Sequence, residues 1–288
     1  MREDNMLVRN SIFSIVLATA LMVPLAGAQA HDESKFPDWS GQWLRTYGGN
    51  PRFDPSKPIR KQEAPLKPEY QARFEQSIKD QDAGGHGNDL AYTCLPQGMP
   101  RMMSGVSLME FLFSPDVTYI LSHRNEFAPR RIYTDGRPWP KEMEPTFVGY
   151  SIGKWLDTDG DGKFDTLEAE TRHMRGPKSW DQSGMPMADD DEGIIKERLF
   201  LDKKDPSILH NEMTAIDNSL TRPWSTTRAY KRIKSAKEAA WSEDNCIEGQ
   251  AHVTIGKESY FLSGDGTIMP MRKDQPPPDL KYFGPVKK

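Results

Sequence analysis

The chain has 288 residues, of which 36% are hydrophobic and 28% charged, and a net charge of -4; it is long enough to bury a full core. With a pI near 5.9 and a mean hydropathy of -0.72, it carries no basic field for nucleic acid or an anionic membrane, and nucleic acid is excluded as a partner. Its 12 Phe, 9 Tyr, 7 Trp and 23 Pro suit a loop-rich β protein with aromatic packing better than a disordered chain.

Residues 11–27 (SIFSIVLATALMVPLAG) are apolar, follow Arg9 and end at Ala28-Gln29-Ala30. This is the pattern of a signal peptide with a small-residue cleavage site, not of a membrane span. Glu3 and Asp4 do not suit the start of such a peptide, and Met6 makes the cleaner initiator. Cleavage after Ala30 gives a periplasmic or secreted chain that begins at His31, with no membrane span and no cysteine for a lipid anchor. The 2 cysteines are Cys94 and Cys246. In an oxidising compartment an even pair favours a disulfide, with two buried thiols as the alternative. Closing so long a loop contributes about 4–5 kcal/mol in the chain-entropy model.

The mature chain opens on FPDWSGQWLR, where Gly41-x-Trp43 resembles the glycine-x-tryptophan start of lipocalin-type barrels; an ordinary first strand with a core tryptophan reads the same way. After a proline-rich stretch, Pro68 opens a helix with Tyr70, Phe74 and Ile78 one turn apart, stopped by Gly84-Gly85. Residues 109–113 and 117–121 flank Ser-Pro-Asp as a hairpin, and Val117, Tyr119, Leu121 and His123 share a face. Residues 130–134 lead into the turn signal Asp135-Gly136. Residues 147–155 and 165–171 form a pair around an acidic loop. Further strands are expected at 199–201, 208–216, 225–233, 253–255 and 260–262, and Ser235-x-x-Glu238 is a capping box for a short helix. The fold class is mainly β, an antiparallel barrel or sandwich, lipocalin-like as one form, with one or two short helices. The organisation is a signal peptide at 1–30, an N-terminal extension with one helix at 31–87, a β-rich domain at 88–272 and a proline-rich tail at 273–288.

Cys94-x-Pro96-x-Gly98-Met99-Pro100-Arg101, RRIYTDGRPWP, Gly149-Tyr-Ser-Ile-Gly153-x-Trp155, Asp165-Thr-Leu167 with Glu170-Thr171, and Thr221-Arg-Pro223-Trp224 occur in this order. Together they resemble a family of exported proteobacterial proteins with no settled activity. The resemblance covers residues 94–233 and implies an exported β fold, with 165–171 as a strand. The extra acids between Trp155 and Asp165 depart from that pattern.

Those acids carry the clearest chemistry. Asp157-x-Asp159-x-Asp161-Gly162-x-x-Asp165-x-x-Glu168 resembles the EF-hand loop, in which closely spaced oxygens supply the six to eight ligands that Ca2+ takes. Asp157, Asp159 and Asp161 offer carboxylates, Lys163 its carbonyl, Asp165 a water-mediated contact and Glu168 a bidentate closure. Helical EF geometry needs a helix over 166–174. If 165–171 is a strand, Glu168 points away and a hairpin loop built on the first three aspartates remains. A hydrated acidic turn is the plain alternative.

A ligand site is expected where Arg131, Tyr133 and Asp135 alternate onto one face, offering a cation, a phenol and a carboxylate. His123 and Glu126 from upstream and Glu170 from the later strand add proton-transfer groups. The rival is a surface Arg–Asp pair. Gly149-x-Ser151-x-Gly153 matches the nucleophile elbow, which needs a strand, a strained turn and a helix to present Ser151. The leading reading is an exported Ca2+-binding β protein with a polar-lined site for a small organic ligand and acid–base chemistry (lyase, hydratase or isomerase). A non-catalytic envelope binding or scaffold protein is the alternative, and a serine hydrolase at Ser151 the remote one.

Overall fold

The structure, a computed structural model, describes residues 32–45, 64–83, 87–88, 95–105, 108–123, 129–233, 252–262 and 268–278. The signal segment, Cys94, Cys246, Glu126 and the capping-box stretch lie outside the described residues. Met1–Asp32 and Glu33–Lys288 separate into two units, and all elements below belong to the second.

Among the described residues a 3-10 turn, Glu33–Lys35, precedes β1 (Gln42–Arg45). Two helices follow, α1 (Pro68–Asp82) and α2 (Arg101–Ser104). Eight more strands complete a ring: β2 (Leu108–Phe113), β3 (Val117–Ser122), β4 (Arg130–Tyr133), β5 (Tyr150–Leu156), β6 (Thr166–Arg172), β7 (Ile194–Leu201), β8 (Ile208–Ile216) and β9 (Trp224–Arg232). β10 (His252–Ile255), β11 (Glu258–Leu262) and β12 (Ile268–Pro270) form a three-stranded sheet apart from the ring.

The ring closes because β1 pairs with both β2 and β9. Each antiparallel seam reverses strand direction, so a closed circuit contains an even number of them. Nine strands therefore need at least one parallel seam. It falls between β4 and β5, where Ile132 faces Ser151 and Tyr133 faces Ile152. No hairpin can join a parallel pair, and residues 134–149 provide the crossover. The expected barrel is present, mixed at this seam rather than antiparallel throughout. Its first strand comes from the stretch expected to be an N-terminal extension.

Period-two alternation sends one row of each strand inward. Leu209, Asn211, Met213 and Ala215 of β8 are buried, as are Ile195, Glu197 and Leu199 of β7. One end of the ring is filled with aromatic rings. Trp39 lies 5.0 Å from Trp155 and 5.8 Å from Phe113, and Phe36 lies 5.2 Å from Phe164 and 5.3 Å from Trp155. Offset and edge contacts of this kind add stability beyond the area that they bury. The opposite end is covered by α2 and by residues 174–188, which bring in Met102, Met103, Met174, Trp180, Met185 and Met187, all buried. Arg45 ties this cover to the wall by donating to the Ser104 carbonyl, and Ser104 joins its two parts by donating to the Trp180 carbonyl.

The parallel seam is tight. A Cβ at Gly153 would sit 2.6 Å from Ile132 Cγ2 and 2.7 Å from the Glu168 carbonyl oxygen, and the second of these is backbone. Gly153→Ala should cost about 1–3 kcal/mol through overpacking. Thermal unfolding checks this, with a melting point lower by roughly 2–12 °C.

The aromatic plug is also tied to the wall by charge. Arg232 donates to Asp38 at 2.8 Å, and its guanidinium lies 4.7 Å from the Trp43 ring centroid. Hydrogen bonds from Ser40 and then Arg232 outweigh burial and hold the Asp38 carboxyl at about 2, against an ordinary 3.8. A folded-state value below the unfolded one gives stability that is present above pH ~4 and lost as pH falls toward 2. Asp38→Asn should flatten the pH dependence of unfolding in that window, measured by denaturant melts at each pH.

Candidate functional site

The face expected to bind a ligand is the outer one. Arg131 is exposed. Tyr133 stacks on Tyr150 at 5.0 Å outside the ring, and the Arg137 guanidinium lies 3.8 Å from the centre of the Tyr133 ring. Asp135 accepts from Arg137 Nε at 2.8 Å and Nη2 at 2.6 Å, bonds that hold its carboxyl below the usual range. Glu170, from β6, pairs with Arg172 at 2.5 Å and with Lys196 at 3.5 Å. His123 ends the β2–β3 hairpin, its Nδ1 accepting from the Leu108 N–H at 2.9 Å. The proposed set is therefore not one inward constellation. The cause is parity: Ile120 and Ile132 take the core positions, and a strand's two faces differ by one residue.

A groove of about 640 Å³ does run over this outer face, beside Trp139, Lys154, Glu170, Lys196, Arg198 and Glu212. Its charges are already matched across the strands. Lys154 meets Glu168 at 3.1 Å and Arg198 meets Glu212 at 3.5 Å. Exposed pairs of this type contribute little stability and offer no unmet valence.

The acidic loop is a hairpin turn joining β5 to β6, so strands rather than helices flank it. Gly160 and Gly162 take φ of +78° and +86°, a region that glycine enters without a Cβ clash. Asp157 accepts from the backbone N–H of Gly160 at 2.7 Å and of Gly162 at 2.8 Å. Carboxylate oxygens of Asp157, Asp159 and Asp165 lie within 4.8 Å of one another. Two members of the expected set stand apart. Glu168 lies in β6 paired with Lys154, and Asp161 accepts from the Lys163 N–H at 2.8 Å. The strand register thus excludes the EF-hand closure by Glu168. Asp165 accepts from Thr158 Oγ1 at 2.6 Å on one oxygen, while its buried Oδ1 has no hydrogen-bond partner. Burial raises its pKa, but bonds from Thr158 and Thr166, helped by Lys203, outweigh that and leave it lowered. Phe164 places its ring in the aromatic plug and donates its N–H to the Lys35 carbonyl at 2.7 Å.

Ser151 is buried inside β5, with its Oγ 2.8 Å from Thr171 Oγ1, and strand rather than a turn and helix follows it. The nucleophile-elbow reading is overturned by this geometry.

The inward faces hold a polar layer that the motif reading missed. Arg130 donates through Nε to Ser151 at 3.3 Å and through Nη2 to Thr171 at 2.9 Å and to Glu197. Asn211 Nδ2 donates to the other Glu197 oxygen at 2.8 Å. Asn211 faces Arg228 across the β8–β9 seam. Arg228 meets Asp181 of the cover at 3.5 Å, and Tyr230 donates to the Met103 carbonyl at 2.5 Å. Burial, then repulsion from Arg45, pushes the Arg228 guanidinium down to about 9 despite Asp181. Burial, with Glu197 nearby, pushes the Tyr230 phenol up to about 12. Several atoms remain unmatched: Arg130 Nη1, Arg228 Nε and Nη1, Asn211 Oδ1 and Trp180 Nε1 are buried without a hydrogen-bond partner. The sequence did contain a signal for this layer. Glu197 sits between Ile195 and Leu199, and Asn211 between Leu209 and Met213, each a polar residue on the apolar parity of its strand.

Comparison with protein-family models, curated proteins and solved structures gave no match.

Arg130 and Glu197 are 1% and 0% exposed at the side chain. Removing one partner of such a pair strands the other charge and costs roughly 3–5 kcal/mol, whereas neutralising both costs far less. Arg130→Met should be destabilised by about that amount in urea unfolding, and Arg130→Met with Glu197→Gln should recover most of it.

Proposed function

We propose that this chain is an exported, Ca2+-stabilised β-barrel that binds a small organic molecule among the polar groups of its interior. The observation that carries the reading is the set of unmatched buried atoms on Arg130, Asn211, Arg228 and Trp180. A buried donor or acceptor left without a partner costs about 1–3 kcal/mol, so such groups persist where something outside the chain completes them. Export rests on the leader-like first 30 residues and on the motif resemblance.

Binding is favoured over catalysis. Glu197 gives both oxygens to Arg130 and Asn211, and Tyr230 holds its proton to about 12. The Tyr230 phenol is thus far from the near-neutral range that general acid–base chemistry requires, and both Glu197 oxygens are already engaged.

Calcium belongs in the reading as a structural ion. Asp157, Asp159 and Asp165 would hold it, with Asp165 Oδ1 already buried and unmatched. Hard oxygen donors at one turn suit Ca2+. Bound there, the ion would neutralise the clustered carboxylates and brace the turn that carries Phe164 into the plug.

Two measurements test these parts separately. Ca2+ at a hundredfold excess over its Kd should add about 2.7 kcal/mol to unfolding, seen as a higher melting point. Asp159→Ala should lose most of that response, and unchanged melting in both proteins would remove the ion from the reading. Tryptophan emission titrated with small neutral and charged organic probes should change saturably for at least one. Asn211→Leu should abolish the change, and no saturable response to any probe would remove the interior site.

A further inference from the structure

The interior site, if the reading above holds, has a chemistry of its own. Its unmatched atoms are mostly donors: Arg130 Nη1, Arg228 Nε and Nη1 and Trp180 Nε1, against one acceptor, Asn211 Oδ1. Two of the three guanidinium nitrogens of Arg228 lack an acceptor, and its ion pair with Asp181 is a long 3.5 Å contact. The Arg228 side chain is 0% exposed. Water could fill the hydrogen bonds but would add no charge to the long Asp181 contact, and a weakly neutralised cation is the costlier defect in a low-dielectric interior. Arg130 is hydrogen-bonded through Glu197 to Asn211, which faces Arg228 across the β8–β9 seam.

We propose that the barrel interior is an oxyanion site, in which Arg228, supported by Arg130, takes the carboxylate or phosphate head of a small organic acid. Guanidinium binds such heads through short charge-assisted hydrogen bonds. Asn211 Oδ1 is placed to accept from a hydroxyl on the same ligand. Met213 follows Asn211 on the inward row of β8, and the Met103 carbonyl accepts from Tyr230, so buried adaptable apolar side chains are available for the organic part. The depressed guanidinium of Arg228 fits this assignment, since a bound anion would restore its usual affinity for the proton.

The test uses the full-length protein and matched probes: benzoate with benzamide, hexanoate with hexanamide, and phenyl phosphate with phenol. Isothermal titration should give at least one acid a Kd ten or more times lower than that of its neutral counterpart. Whether carboxylate or phosphate prevails identifies the head group. Arg228→Met should abolish the preference for the charged member, and Arg228→Lys should retain part of it. Because the acid and its neutral partner are compared on the unaltered protein, the result stands even if a variant fails to fold. Neutral probes binding as tightly as the acids would overturn the oxyanion assignment while leaving interior binding intact. Binding of no probe in either series would overturn both.

Discussion

The arithmetic of closing nine strands into a ring governs the rest of this molecule. One seam has to be parallel, and its place between β4 and β5 decides what the barrel contains. Parallel pairing puts the beginnings of β4 and β5 at the same end of the ring. Arg130 therefore lies beside Ser151, and through β6 beside Thr171. An antiparallel β5 would have carried Ser151 to the far end and left the guanidinium without its hydroxyl partners. The same requirement forces the long crossover at 134–149, whose Arg137 and Trp139 pack back over the outer surface on Tyr133 and Arg172.

Two unlike closures bracket the polar layer. The aromatic end is stiff, because rings have few rotamers and contact one another at fixed angles. The other end is built largely from methionine, whose unbranched side chains repack at low cost. A molecule entering the interior would meet less resistance at the methionine end, which is also where Arg45, Arg228 and Tyr230 reach out of the wall to hold α2 and residues 174–188. The polar groups thus serve both as interior lining and as fasteners of the cover, and a ligand bound among them, as proposed, would be coupled to the seating of that end.

Periodicity and turn chemistry made much of the fold readable: the helix from Pro68, the β2–β3 hairpin and the pair around the acidic loop all lie where the residues placed them, whereas the hairpin signal Asp135-Gly136 opens a crossover to a parallel strand. Parity was harder. In RRIY the conspicuous residues Arg131 and Tyr133 drew attention, but the neighbouring Arg130 and Ile132 face inward, because Ile132 belongs to the core. β7 runs beyond the expected 199–201: Lys196 and Arg198 break its apolar run in sequence but are the outward half of a regular alternation. The polar layer is assembled from residues far apart in sequence, and only the ring's register brings Arg130 to Glu197 and Asn211 to Arg228.

The acidic turn and the polar layer sit on different parts of the wall and answer to different physics. Glu168 is committed by register to Lys154, so the turn has fewer carboxylates than its spacing advertises, and any ion there would complete its shell with carbonyl oxygen or water. Its mechanical connection is Phe164, which joins the plug and captures the Lys35 carbonyl. Neutralising the turn would tighten that end of the barrel and the segment threaded across it, while the charge on Arg228 would be untouched. On the proposed reading a metal at the turn would act as a stability device, and selectivity for an interior ligand would come from the guanidiniums inside.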